Sequence, residues 1–376
     1  MTAEFKIRNE IRSLTAFRFL AAFYVFLFHI QNRAPIFNGV LGDFISEGAV
    51  GMTMFFVLSG FILSYAYDSF RMNIKQYFWS RFARIYPIYL LAALLALPWL
   101  VRNFVNNSFA SSTICAVLAT FILLVFGLFL IQAWLPQTFE FWNNSASWSI
   151  SNEAFFYLLF PFARDLLISA SSRQLVALFL ALSLLSSMVP VSSIVFSNSP
   201  RSFALFYALP FFRSAEFLCG IIAFVLMKRI EWSATIRNSL LIVLILGFAY
   251  VALLGRWLPG YTLHNWILIP AVSSALVLLY KSEMNGGKLL CGSVFVWLGQ
   301  ISYCFYSFQF HVLEGLRWLL PIETIGGTAY ALVATILLLV VSASAHHFVE
   351  EPARVWIRER TSKAKSLAEP QIDPLS

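Results

Sequence analysis

The stretch RFLAAFYVFLFH, Arg18–His29, begins with an arginine and ends with a histidine, and the ten residues between them are uncharged and mostly apolar. With its flanks it forms an apolar segment over residues 14–30, close to the length of a membrane-spanning helix. On a helix, eleven residues at 100° each make three turns plus about 20°, so Arg18 and His29 share one face about 16 Å apart. Ionisable groups inside a span are costly and usually face a protein interior or a watery cavity. Two readings stay open. The pair is either a snorkelling arginine with an interfacial histidine, or a polar track with a cation at one end and a base at the other.

The rest of the chain repeats the apolar pattern. Of 376 residues, 60% are hydrophobic, 17% aromatic and only 12% charged, and the mean hydropathy is +0.77. A soluble domain carries about 25% charged residues, so this chain cannot clothe itself in a water-facing surface. Apolar segments fall at 14–30, 48–66, 85–101, 113–133, 149–163, 174–196, 204–227, 238–254, 261–280, 294–313 and 328–348. No alternating ten-residue pattern suggests a barrel. The expectation is an all-α, polytopic membrane bundle over residues 1–358 with a short, disordered cytoplasmic tail at 359–376. The first segment follows Lys6, Arg8 and Arg12 as a signal peptide would, but no small-residue cleavage site follows it, so it reads as a retained span.

The net charge of +8 is dispersed between spans rather than clustered, which argues for orientation in a bilayer and against nucleic acid. Most of the 26 basic residues fall in the N-terminus and in linkers 67–84, 164–173, 228–237, 281–292 and 349–365. The positive-inside rule then puts both termini in the cytoplasm. Linker 67–84 reads as inside and linker 134–148, without Lys or Arg, as outside; yet two apolar segments lie between them. One of 85–101 and 113–133 therefore does not cross fully and is irregular or re-entrant, which leaves ten crossings. Pro87 and Pro98 mark 85–101 as a poor straight helix. The four cysteines show no CxxC and no metal-ligand spacing, so they read as packing residues, with no disulfide framework and no metal.

Further charged groups lie in or beside the apolar segments. In FWSRFARIYP, Phe78–Pro87, Arg81 and Arg84 are one helical turn apart. They read as topology signals or as a bidentate anchor for phosphate. SWSISNEAFFYLLFP, Ser147–Pro161, carries Glu153 toward the outer membrane region, where histidine and carboxylate at similar depth make a plausible catalytic pair. Ser147, Ser149, Ser151 and Asn152 read as a helix-entry cap. Arg213 and Glu216, at i and i+3, read as a mutual ion pair. His311 is a second candidate site histidine or a hydrogen-bonded core residue. His346 and His347 read as partners of a helix dipole, and His264 as exposed. No HExxH, nucleotide-binding glycine loop or GxSxG occurs.

In order and spacing, IRSLTAFRFLAAFYVFLFH, GMTMFFVLSGFILSY, RFARIYP, WSISNEAFFYLLFP, LGQISYCFYSFQFH and FVEEPAR resemble the acyltransferase-3 family of integral membrane acyltransferases. The resemblance covers nearly the whole chain. It implies a ten-span bundle of the bacterial inner membrane that takes an acyl group, acetyl in the simplest case, from cytoplasmic acyl-CoA. The implied acceptor is a hydroxyl of a carbohydrate such as O-antigen, exopolysaccharide or a lipid-linked precursor. A small secondary metabolite, macrolide-like, is the alternative acceptor, and a transporter or flippase the rival from another class. Carried over by motif, Arg18 and His29 match the essential pair, Arg81 and Arg84 the arginine motif thought to engage coenzyme A, and Glu153 the fifth-span glutamate. Acyl-CoA is then a donor substrate, and no cofactor is bound permanently. The chain departs from the family in reading EIRS before Leu14, where many members have an aspartate-containing LDGLR, and in carrying no appended hydrolase-like domain.

Overall fold

The protein is described from a computed structural model over residues 10–68, 72–106, 113–135, 147–197, 206–257 and 261–368. Every regular element among them is helical: α1 (Arg12–Arg33), α2 (Gly39–Ser46), α3 (Gly51–Ala66), α4 (Ile74–Asn106), α5 (Thr113–Leu128), α6 (Ser147–Ser169), α7 (Ser172–Ser197), α8 (Pro210–Arg229), α9 (Ala234–Leu254), α10 (Asn265–Met284), α11 (Ser293–Leu319), α12 (Ile322–Ile325), α13 (Gly327–Ala345) and α14 (Glu351–Ala368). Each apolar segment of the sequence falls on its own helix. Among the described residues, seven stretches are long and apolar enough to cross a membrane: Arg12–Arg33, Gly48–Ala66, Ile74–Trp99, Phe206–Arg229, Ala234–Trp257, Thr262–Met284 and Gly327–Arg360. The protein is a multi-pass, all-helical membrane protein. Helix α14 runs on through residues 359–368, the first part of the expected tail.

Two cores share α1, α3 and α8. One joins them to α4, α6, α11 and α13, the other to α10 and Val251 of α9. Close packing of α3 on α8 depends on two glycines. A Cβ on Gly60 would lie 2.0 Å from the Phe217 carbonyl oxygen, and one on Gly220 would lie 2.0 Å from that of Val57. Small residues that let backbones approach are how helices associate when lipid removes the hydrophobic drive.

The proline argument fails for α4, which continues as one helix of 33 residues through Pro87 and Pro98. The Tyr303 hydroxyl donates to the Ile85 carbonyl at 2.7 Å, and His311 Nε2 lies 2.8 Å from the Ala92 carbonyl. The described part of α5 has 16 residues, about 24 Å, where a hydrocarbon core is about 30 Å thick. It ends against the middle of α4, where Tyr89 and Tyr86 donate to the carbonyls of Gly127 (2.8 Å) and Leu128 (3.2 Å). The chain turns there through Leu130 (φ 58°). The start of α6 is tied to the same place by Ser151 Oγ to the Leu130 carbonyl (2.6 Å) and Gln132 Nε2 to that of Ser147 (2.8 Å).

Local sequence does not reveal what folds over it. At the start of α6, Ser149 and Ser151 reach partners on other segments. Ser149 Oγ lies 2.8 Å from the Tyr306 hydroxyl, Ser151 holds the Leu130 carbonyl, and Asn152 is fully buried. His264 is buried rather than exposed, 3.4 Å from the Tyr250 hydroxyl through Nδ1 and 3.7 Å from Glu47 through Nε2, because the linker before α10 folds back onto the turn before α3.

The two ends of the bundle are fastened differently. At one end Lys228 pairs with Asp68 (2.6 Å), Arg229 donates to the carbonyls of Ala170 and Ile168, and Glu283 accepts from the backbone of Arg12 and Ser13. At the other, Arg33 pairs with Glu314 (3.0 Å) and Arg256 with Asp43 (2.8 Å).

Candidate active site

Four helices bring the polar groups together. Arg18 on α1 lies within electrostatic reach of Arg84 on α4 and of Glu153 and Tyr157 on α6. Arg84 in turn faces Tyr157, Glu350, Glu153 and Tyr303 of α11. Among the described residues, neither arginine makes a hydrogen bond or an ion pair within 4.0 Å. Glu153 accepts a 2.5 Å hydrogen bond from Tyr157 one turn along α6, and Ser59 of α3 approaches the same oxygen at 3.4 Å. Arg81 extends the group toward the Lys228 end of the bundle. Its guanidinium lies over the rings of Tyr157 (5.7 Å) and Tyr67 (6.0 Å) in a cation–π arrangement, and its Nε donates to Ser80 Oγ at 3.3 Å.

His29 stands apart from this group. It is three turns further along α1, toward the Arg33 end, half-buried beside the Phe28 ring. Its charged neighbour is Arg33, which donates to the His29 carbonyl at 3.3 Å. The structure therefore does not join His29 and Glu153 as neighbours at one depth. Glu153 lies six residues into α6, and α6 itself starts deep in the bundle beside Tyr89 and Gln132, so the carboxylate reaches the arginines.

The other sequence candidates sort cleanly. Arg213 Nε lies 3.0 Å from Glu216, both fully buried. Thr53 and Asn265 lie 2.7 and 3.0 Å from the other carboxylate oxygen, and the rings of Phe56, Tyr207 and Trp148 surround the guanidinium at 5.0, 5.5 and 5.9 Å. This is a closed structural pair. His311 has Nε2 on the Ala92 carbonyl, with Phe308, Phe310 and Trp99 around its ring. His346 does more than face a helix dipole. Its Nδ1 lies 2.8 Å from Glu350 across a π-helical turn, His346–Glu350, and Cys304 lies 3.3 Å from the same carboxylate. These ligand-type atoms lie within 4.8 Å of one another. Each already has a hydrogen-bond partner in the group, and the Arg84 charge facing Glu350 opposes a further cation there.

Sequence reading missed Tyr157, Tyr303 and Glu350. The first was within reach, being four residues after Glu153 and so on the same face. The others come from distant helices and carry no local signal.

Arginines with carboxylates nearby but no ion pair within 4.0 Å among the described residues suit an anionic, phosphate-bearing substrate, and a histidine further along the same helix face suits proton transfer. The chain is similar to MdmB, an acyltransferase of Streptomyces mycarofaciens, with 27% identity over 368 residues and 91% of each chain covered. It is also 26% identical over 261 residues to a putative acetyltransferase of Acidianus two-tailed virus, covering 69% of this chain and 71% of the relative. An uncharacterized protein of Haemophilus influenzae is 26% identical over 250 residues, 62% of this chain and 99% of the relative. No solved structure matches. The acyltransferase-domain profile matches residues 11–347, so the chain belongs to the acyltransferase-3 family and is a membrane acyltransferase.

Proposed function

We propose that the protein is an O-acyltransferase of the bacterial cytoplasmic membrane, crossing it ten times with both termini inside. On this reading it passes an acyl group, acetyl in the simplest case, from cytoplasmic acyl-CoA to a hydroxyl of a carbohydrate or lipid-linked glycan. The observation that carries the reading is the convergence of Arg18 and Arg84 without ion-pair partners among the described residues, with Arg81 beside them. The end of α5 against the middle of α4 supports a re-entrant segment and hence the count of ten.

In the mechanism, Arg81 and Arg84 hold the phosphates of CoA with Arg18 adding to the positive field, and the pantetheine arm runs past Arg18 along α1 toward His29. Glu153, held by Tyr157, balances Arg18 and Arg84 so that they remain close without the donor. His29 takes the proton of the acceptor hydroxyl as its oxygen attacks the carbonyl carbon. The tetrahedral intermediate collapses, the C–S bond breaks, and the CoA thiolate leaves and takes up the proton. A hydroxyl is a poor nucleophile at neutral pH, and general-base assistance is worth about 10²–10⁴-fold.

The test is release of free CoA thiol from acetyl-CoA by the purified protein, with polysaccharide fragments and small hydroxylated metabolites as acceptors. Acceptor-dependent release that falls about 10²–10⁴-fold in His29→Gln, with donor binding retained, supports the reading. No release with either acceptor class leaves a translocation role in its place. Wild-type rates in a well-expressed His29→Gln variant remove His29 from the chemistry.

A further inference from the structure

Helices α1 and α11 pack side by side and run the same way. Gly299 lies against Thr15, where an added Cβ would sit 2.1 Å from the Thr15 carbonyl oxygen. Phe305 stands among Phe19, Phe23 and Phe26, and further along Arg33 pairs with Glu314. Between these contacts lies Gln309, a buried glutamine with no part in the reaction described so far. Its Nε2 donates to the Ala22 carbonyl at 3.0 Å. A carbonyl can only accept, so the amide nitrogen must be the atom that faces it, and Oε1 is left as the acceptor. Among the described residues, Oε1 is buried and has no hydrogen-bond partner.

The place of this oxygen matters more than its burial. Ala22 follows Arg18 by four residues and precedes His29 by seven, so all three share one face of α1. By the helix rise, Gln309 meets α1 about 6 Å beyond Arg18 and about 10 Å short of His29. A donor anchored by its phosphates at Arg81 and Arg84, with its thioester at His29, must lay its arm along this stretch. The pantetheine arm carries secondary amides between the pyrophosphate and the sulfur. Each amide N–H that leaves water needs an acceptor, and a buried acceptor left unmade is itself costly. Each supplies what the other lacks. The bond to Ala22 and the aromatic packing of Phe305, one turn earlier on α11, hold the carboxamide in position.

We propose that Gln309 Oε1 accepts a hydrogen bond from an amide N–H of the pantetheine arm of acyl-CoA, which makes Gln309 a donor-binding residue midway between the phosphate site and His29. This rests on the acyl-CoA reading above.

The experiment measures binding to the full chain in phosphatidylcholine nanodiscs. The ligands are acetyl-CoA, analogues of it in which one or the other pantetheine amide is replaced by an ester, and adenosine 3′,5′-bisphosphate, which keeps phosphate charge without an arm. Wild type should bind acetyl-CoA roughly three- to tenfold more tightly than one of the analogues. Gln309→Met, similar in length but without an amide, should bind acetyl-CoA and that analogue equally and should hold the bisphosphate as wild type does. Gln309→Leu should behave in the same way, so that a packing fault in one variant does not decide the matter. No distinction between acetyl-CoA and either analogue in wild type overturns the assignment, and so does a distinction that survives in both variants. Equal weakening of every ligand, the bisphosphate included, means that Gln309 only ties α1 to α11, and the proposal falls. Failure of wild type to bind either acetyl-CoA or the bisphosphate overturns the donor reading itself.

Discussion

Arg213 and Arg84 both belong to helices of the same bundle, and their surroundings are opposite in kind. Arg213 has a carboxylate at 3.0 Å, two further side chains on that carboxylate, and three aromatic rings around it. Arg84 has another arginine as neighbour, and the nearest shared carboxylate, Glu153, is already engaged by Tyr157. The Arg213 pair neutralises its own charge, although one guanidinium nitrogen, Nη1, is buried without a hydrogen-bond partner among the described residues. An open pair is a site whose electrostatics are completed by what binds to it. Burial of charge alone does not mark function; burial without a dedicated partner does.

The comparison breaks most readily at Glu216. Glu216→Ala leaves Arg213 charged and buried, which costs about 3–5 kcal/mol. Thermal melting in detergent should show most of the protein destabilised, with activity falling only as the folded fraction falls. A variant that melts normally but fails to turn over donor would move Arg213 from structure to chemistry.

Arg84→Ala should do the reverse. Loss of charge-assisted hydrogen bonds to phosphate is worth roughly 1.5–3 kcal/mol, about tenfold or more in donor affinity. The melting temperature should change little or fall slightly, since relief of repulsion from Arg18 is offset by loss of the attraction to Glu350 and Glu153. Unchanged acyl-CoA affinity in the Arg81→Ala, Arg84→Ala double variant would reduce these residues to topology signals.

Gly60→Ala sharpens the structural side. The added carbon would meet the Phe217 carbonyl, forcing apart α3 and α8, and overpacking of this kind costs about 1–3 kcal/mol. Melting should fall, with donor affinity per folded molecule unchanged. A selective loss of donor affinity would show that the α3–α8 contact positions the site.

The smallest effect belongs to Thr53→Val, which removes one donor to Glu216 while Asn265 and Arg213 remain. A loss of about 1 kcal/mol should appear as a modest drop in melting temperature. A drop as large as that of Glu216→Ala would mean that the hydroxyl, rather than the ion pair, holds the cluster together.

Much of this architecture is legible in the amino-acid sequence. Low charge and repeated apolar segments specify a multi-pass helical protein, because no other arrangement hides so much apolar surface. Spacing places Arg213 beside Glu216 and puts Arg81 one turn from Arg84, since residues three apart are neighbours on any helix. The helix α4 shows where local rules stop. Pro87 and Pro98 mark it as broken, yet it continues as one helix of 33 residues.

Sequence by itself determined what is periodic: which segments are helical, and which side chains share a face with their own near neighbours. It placed Arg18 and His29 on one face but could not say that His29 would stand alone near Arg33 while Arg18 met Arg84. Those neighbours lie tens of positions apart or more, as does the pair His264 and Glu47. Only the tertiary structure decided them, because a helix's own periodicity says which face is to be covered and carries no information about which other helix will cover it.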